Sequence, residues 1–368
     1  MVLDIFVGVR PEIIKLWPII EELRNNNTRF RIVHTGQHYD WELSKQILEE
    51  LRIGDPDIHL ENFTKNNDKS SISNIIERTT NYLMKSNTKA ALILGDSNSS
   101  LGVGLAAKRM GIELFYVESG CRSFDWTMME EMNRVILSDC ADINFAPTLQ
   151  TEKNLRNENV RGEIHLTGHP IVKAISDIEK ELTDIKNING IDIKNKNKIV
   201  TVTTHRPENV DSKDNLKNIL KTISELKYQV VLPLHPRTKK RIEEFELTKL
   251  IDDSEIIVTE PLSYISMLKL IKHSEFVITD SGGLQQESYL LQIPTVTIRK
   301  STEWVETVQA GVNKLINPKE TKLNEELETM GKELNSIKKK FRNNKNIFGT
   351  IEAPKKIREI IEKRIVKN

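Results

Sequence analysis

Two carboxylates stand where apolar, β-rich runs of the chain end, and a third lies on the helix pattern that follows. Ala90–Leu94 ends in Gly95-Asp96-Ser97-Asn98, and Leu114–Val117 ends in Glu118-Ser119-Gly120-Cys121-Arg122. An Asp ahead of serines also suits a helix N-cap. An acid directly after an apolar strand has no capping geometry, and in a parallel sheet it lies where substrates bind, so Glu118 points to function. Glu130 and Arg134, in Met128–Leu137, have the spacing of an i,i+4 surface pair. Together Asp96, Glu118 and Glu130 offer proton transfer on both sides of a bound molecule.

The second half of the chain is suited to holding an anion. Phe276–Thr279 breaks into Asp280-Ser281-Gly282-Gly283 and restarts as a helix at Leu284-Gln285-Gln286-Glu287. Gly282 and Gly283 permit close backbone approach, Ser281 can donate from its hydroxyl, and the helix N-terminus turns free N–H groups toward a phosphate. Glu287, about one turn in, can reach a ribose hydroxyl. His205, Arg206 and His235 also end apolar runs, where they could pair with phosphate oxygens. His38, in Thr35-Gly36-Gln37-His38, is the corresponding candidate in the first half.

These groups need elements to position them. Short runs at Asp4–Val7, Phe30–His34, Ala90–Leu94, Leu114–Val117 and Ile143–Ala146 alternate with amphipathic stretches. The pattern resumes at Ile199–Thr203, Val230–Leu234, Ile256–Thr259, Phe276–Thr279 and Thr295–Ile298. Strands spaced by helices predict parallel sheets covered on both faces, hence α/β with two doubly wound Rossmann-like domains. The break falls between Gly168 and Lys198, and Arg10-Pro11-Glu12 echoes Arg206-Pro207-Glu208 after the first strand of each half. Ligands of open α/β sheets collect beyond the carboxyl ends of strands, so two such domains are expected to share one cleft. Leu101-Gly102-Val103-Gly104-Leu105-Ala106-Ala107 matches a dinucleotide fingerprint, but its glycines fall inside the helix, where they predict close helix–sheet packing instead.

The chain has 368 residues, with 54 Lys and Arg against 53 Asp and Glu, a formal charge of +1. No overall field draws it to nucleic acid. Cys121 and Cys140 lack metal-ligand spacing and are too few for a disulfide framework, which suits a reducing cytoplasm. The start lacks a signal-peptide pattern, and no apolar run approaches the roughly 20 residues of a membrane helix. No metal is expected, and no membrane.

Taken in order, Gly8-Val9-Arg10-Pro11-Glu12-Ile13-Ile14-Lys15, Thr35-Gly36-Gln37-His38, Gly95-Asp96, Val117-Glu118-Ser119-Gly120, Glu130-Glu131-Met132-Asn133-Arg134, Thr204-His205-Arg206 and Thr279-Asp280-Ser281-Gly282-Gly283 resemble the non-hydrolysing UDP-N-acetylglucosamine 2-epimerases. The resemblance covers nearly the whole chain. It implies the GT-B arrangement: an N-terminal domain over 1–170 with the catalytic carboxylates, a UDP-binding domain over 171–350, and a final helix within 351–368 returning to the first. It implies a UDP-sugar substrate, a homodimer, no cofactor, and a reaction in which UDP is eliminated and re-added with inversion at C2. Asp96, Glu118 and Glu130 look like the catalytic acids, Arg10 and Lys15 like charge partners of the phosphates, and His205 like the family's active-site histidine. Ser281, Gly282 and Gly283 look like the phosphate cradle, and Glu287 like the ribose ligand.

Four departures stand out. Gln286 replaces a usual Glu, Thr302-Glu303-Trp304-Val305-Glu306 replaces Thr-Glu-Arg-Pro-Glu, Asn62–Lys69 replaces a Gly- and Ser-rich segment, and Gly168-His169-Pro170 stands for the usual Gly-Asn. The Trp304 form is similar to epimerases of diacetamido-glucuronate sugars. A hydrolysing epimerase, a GT-B glycosyltransferase and a nucleotide-sugar sensor are the other readings.

Overall fold

The computed structural model describes residues 2–36, 41–63, 71–183, 198–317 and 323–367. The chain divides into two compact units, Met1–Asp177 with Phe348–Asn368, and Ile178–Ile347.

The first unit is built on seven strands: β1 (Val2–Val7), β2 (Phe30–His34), β3 (Ile58–His59), β4 (Thr88–Leu94), β5 (Glu113–Val117), β6 (Ile143–Ala146) and β7 (Glu163–Leu166). They lie in the order β3-β2-β1-β4-β5-β6-β7, and their pairings are parallel. The order runs outward from β1, then resumes on its other side at β4. With right-handed crossovers, that reversal puts helices on both faces and opens a crevice beyond the ends of β1 and β4. Period-two alternation lines one face with Phe6, Val33, Ala91, Ile93, Leu114 and Tyr116, packed under Ile75, Leu83, Leu101, Val103 and Leu137 of the covering helices. Each Val, Leu, Ile or Phe side chain among them stabilises the fold by about 1.5–3 kcal/mol relative to exposure.

Gly102 and Gly104 lie in the helix Asn98–Arg109. A Cβ on Gly102 would come within 2.5 Å of Ile75, and one on Gly104 within 2.5 Å of Leu137. The close approach is therefore mainly helix to helix, a correction to the expected helix–sheet contact. The helix Ala353–Lys367 belongs to this unit and is tied to it by Arg358 Nε–Glu22 Oε1 at 3.2 Å and Arg364 Nη1–Glu163 Oε1 at 3.2 Å.

The second unit repeats the plan with β8 (Ile199–Thr203), β9 (Gln229–Pro233), β10 (Ile257–Thr259), β11 (Ser274–Thr279), β12 (Thr295–Ile298) and β13 (Asn313–Ile316), in the order β10-β9-β8-β11-β12-β13. β8 occupies the place that β1 has in the first sheet. Pro11 and Pro207 each open the helix after these equivalent strands, where a fixed φ and a missing N–H cost nothing.

Candidate functional site

At the switch point of the first sheet, the segments after β1, β4 and β5 bring four charged groups into two clusters. Lys15, on the helix Arg10–Asn25, donates from Nζ to both carboxylate oxygens of Glu118 at 2.8 Å. Both residues are buried. Burial pushes the Glu118 carboxyl up, but Lys15 and then His169 outweigh it and hold the group at about 2. Burial pulls Lys15 down, and Glu118 more than restores it. Glu118 also has φ 68°, in the left-handed region that a non-glycine residue enters only when its surroundings impose it. Those surroundings are a tight turn: Ser119 Oγ donates to Asn144 at 2.6 Å, and a Cβ on Gly120 would strike the Thr151 carbonyl at 2.3 Å.

Asp96 forms the second cluster. Ser97, not Asp96, caps the helix Asn98–Arg109, which leaves the Asp96 carboxylate to Arg134: Nε approaches Oδ2 at 2.8 Å and Nη2 at 2.5 Å, while Asn133 grips the Asp96 carbonyl at 2.8 Å. Arg134 pairs on its own helix with Glu131 at 2.8 Å, in place of the expected Glu130. Glu131 is the buried member of the two adjacent acids and accepts the N–H groups of Ser123 and Phe124 at 2.9 Å. It anchors the loop from which the half-buried Glu130 enters the helix Met129–Cys140. Arg10 is the first residue of its helix, and Glu12 caps that helix by accepting from Gly8 N at 2.6 Å. Burial pushes the Glu12 carboxyl up to about 7, against hydrogen bonds from Ser97, Gly8, Val9 and Ser100. His38 lies outside the described residues.

At the switch point of the second sheet, between the ends of β8 and β11, Asp280 organises the neighbouring loop. Its fully buried carboxylate accepts Thr204 Oγ1 at 2.8 Å, the N–H groups of His205 and Arg206 at 2.9 Å, and Asn209 Nδ2 at 2.9 Å. Its other oxygen is 3.0 Å from His205 Nδ1. Burial would raise this carboxyl, but the His205 hydrogen bond and charge and the donated N–H groups hold it well below the usual range. With Nδ1 so engaged, the His205 ring stacks on His235 with centroids 5.1 Å apart at 30°. Arg206 Nε donates to the Asp280 carbonyl at 2.9 Å. His235 is exposed and caps the helix Pro236–Glu244.

Ser281 caps the helix Gly282–Leu290, with Oγ accepting Leu284 N–H at 3.4 Å. The two glycines differ. A Cβ on Gly282 would lie 2.1 Å from Glu303 Oε1, whereas one on Gly283 would meet nothing nearer than Ser281 Oγ at 3.9 Å. Gly282 thus admits the buried Glu303–Arg299 pair, joined at 2.9 Å, and Gly283 leaves the helix end open to an approaching group. Glu287 is buried on the same helix. Trp304 is buried as well, 1% exposed, so this departure from the family pattern is an interior one.

The structure brings Lys15 together with Glu118 and Arg134 together with Asp96 in the first unit, and in the second it sets His205, Arg206 and His235 around Asp280, next to the Ser281 cap. Glu131, His169 and Asp280 were not among the predicted site residues. For Asp280 the available signal was its place between a strand end and the glycine turn; for His169 it was the replacement of the usual Asn.

The UDP-N-acetylglucosamine 2-epimerase family profile matches residues 21–362. A UDP-N-acetylglucosamine 2-epimerase of Methanocaldococcus jannaschii is 36% identical over 369 residues, covering 98% of this chain and 99% of the relative. A UDP-2,3-diacetamido-2,3-dideoxy-D-glucuronate 2-epimerase of Pseudomonas aeruginosa is 32% identical over 364 residues, covering 97% and 98%. The crystal structure of M. jannaschii UDP-GlcNAc 2-epimerase in complex with UDP-GlcNAc and UDP superposes with a TM-score of 0.88 at 35% identity, covering 98% of this chain and 99% of that one.

Two parallel sheets wound alike, each with charged groups at its reversal, define an α/β enzyme of the GT-B fold class. The chain belongs to the UDP-N-acetylglucosamine 2-epimerase family and is an isomerase.

Proposed function

We propose that the protein inverts C2 of a UDP-2-acetamido sugar, interconverting UDP-GlcNAc and UDP-ManNAc without net hydrolysis. The observation that carries the reading is Glu118: buried, ionised, bonded to Lys15 and held in a left-handed backbone conformation at a strand end. Strain of this kind, worth about 1–3 kcal/mol, persists where surroundings over-determine it, and such positions cluster at active sites.

In the proposed reaction, the 1–170 domain supplies the acids, the 171–350 domain grips UDP, and the helix of 351–368 belongs with the first. Ser281, Gly282, Gly283, Arg206 and His235 take the diphosphate, Glu287 the ribose, and Arg10 and Lys15 serve as charge partners of the phosphates. A carboxylate removes the C2 proton, the C–H electron pair forms the C1=C2 bond, and the C1–O bond breaks with its pair leaving on UDP. The 2-acetamidoglucal then takes a proton at C2 from the opposite face, and the phosphate oxygen attacks C1. Asp96, Glu118 and Glu130 divide the proton transfers, with His205 as a further acid–base group. Glu118 gains basicity as Lys15 is drawn to the incoming diphosphate, because the ammonium that suppresses its proton affinity is then shared.

The identity to the P. aeruginosa relative supports a second reading, the same inversion on UDP-2,3-diacetamido-glucuronate. A role in surface-polysaccharide or glycoprotein synthesis, a cytoplasmic location and a homodimer complete the proposal. The test is a proton NMR time course in deuterated water with each sugar nucleotide. Deuterium entering C2 of UDP-GlcNAc supports the first substrate, exchange with the diacetamido sugar alone supports the second, and no exchange with either refutes both. Stoichiometric release of UDP would instead indicate hydrolysis.

A further inference from the structure

We propose that His169 is a positioning residue: a neutral imidazole whose Nε2–H faces the Glu118 carboxylate and keeps it in its reactive orientation. This rests on the assignment of Glu118 to the chemistry above. His169 Nδ1 accepts the Ile171 N–H at 3.0 Å, so the proton of the neutral ring is on Nε2. Nε2 stands 3.5 Å from Glu118 Oε2, on the same carboxylate that Lys15 binds.

The ring is also held on its other sides. It is completely buried, its main-chain N–H donates to the Phe348 carbonyl at 2.8 Å, and its ring meets Phe348 edge-on with centroids 6.2 Å apart at 79°. Gly168 ahead of it has φ 87°, and a Cβ there would press on Ala353 and the Phe348 carbonyl at 3.3 Å. The segment that returns to the first unit therefore clamps the imidazole. Among the described residues, the charged groups that act on it are Glu118 after β5 and Lys15 on the helix Arg10–Asn25, and the Phe348 ring lies against another side. Burial lowers its affinity for a second proton, and Glu118 offsets that only in part.

A neutral donor does something an ammonium cannot. Lys15 both orients Glu118 and suppresses its basicity through full charge, whereas an imidazole N–H orients it at a smaller electrostatic cost. Once Lys15 is shared with a diphosphate, His169 remains to hold the carboxylate.

The experiment compares His169→Leu, His169→Gln and Glu118→Gln in C2 exchange with UDP-GlcNAc, with UDP affinity and melting temperature measured alongside. The Gln amide can restore a donor near the place of Nε2, and Leu cannot. His169→Leu is expected to lower kcat tenfold or more with UDP affinity unchanged, and to move the acidic limb of kcat/KM to higher pH. His169→Gln is expected to recover most of the rate. Equal rates for Leu and Gln with an unmoved limb, while Glu118→Gln is inactive, would overturn the role of His169 alone. A fully active Glu118→Gln would remove the assignment of Glu118, and this inference with it. If the Leu variant does not fold, imidazole nitrogen NMR on the wild-type chain decides: an Nε2–H tautomer whose resonance moves in Glu118→Gln supports the role, and an Nδ1–H tautomer or an unmoved resonance refutes it.

Discussion

Lys15 and Glu118, 103 residues apart in sequence, meet in a bidentate ion pair with both carboxylate oxygens 2.8 Å from Nζ. The pair joins the helix after β1 to the strained turn after β5, so it is a strut of the first unit.

Removing the cation should be costly. Lys15→Met leaves a buried carboxylate without its main counter-charge, an effect on the order of 3–5 kcal/mol at neutral pH. Because the folded-state value of Glu118 is depressed to about 2, its contribution is present above the ordinary carboxylate value of about 4.3 and is lost as pH falls toward 2. Urea melts of wild type and variant should therefore differ most at pH 7, draw closer below about pH 4.3 and converge only as pH approaches 2. A gap that stays constant over that range would contradict the pairing energetics.

The acids and the anion turn should separate in kinetics. Asp96→Asn and Glu118→Gln are expected to lower kcat by about 10²–10⁴ with little change in UDP affinity. Ser281→Ala and Glu287→Ala should mainly weaken UDP binding. Calorimetric titration with UDP beside steady-state rates checks both halves, and small, equal effects in all four variants would count against the site.

Asp280 should behave as a structural hub of the second unit. Asp280→Asn keeps the size but loses the ionised acceptor shared by Thr204, His205, Arg206 and Asn209. With charge-assisted bonds lost and donors left buried, roughly 2–4 kcal/mol of destabilisation is expected, together with weaker UDP binding. Thermal melts and titrations in parallel provide the check; an unchanged melting temperature would argue against this role.

The two glycines of the turn offer an internal control. Gly282→Ala must push aside Glu303 Oε1, on the carboxylate whose Oε2 pairs with Arg299, and should lose about 1–3 kcal/mol of stability, as overpacking does. Gly283→Ala meets open space and should melt near wild type while still weakening UDP binding, since the methyl group occupies the approach to the helix end. Equal melting temperatures for the two variants would show that the Glu303 contact does not constrain Gly282.

Much of the fold was legible because its signal is local. Ten apolar runs predicted ten of the strands; β3, β7 and β13 were missed. All three are short edge or near-edge pieces, and β7 reads Glu163-Ile164-His165-Leu166 with two exposed positions, so it carries no apolar run to detect. The glycine turn, the strand-end acids and the helix starts at Pro11 and Pro207 were equally local, each depending on residues within a few positions of one another.

By itself, then, the sequence determined two doubly wound units and which residues stand at strand ends, because hydrophobic period and turn chemistry are properties of short segments. Only the tertiary structure decided the partners: Lys15 and His169 for Glu118, Arg134 for Asp96 with Glu131 rather than Glu130 beside it, and Asp280 for the His205 loop. Spacing cannot reveal these, since they join segments brought together by strand order, and their energetics depend on how completely folding removes each charge from water.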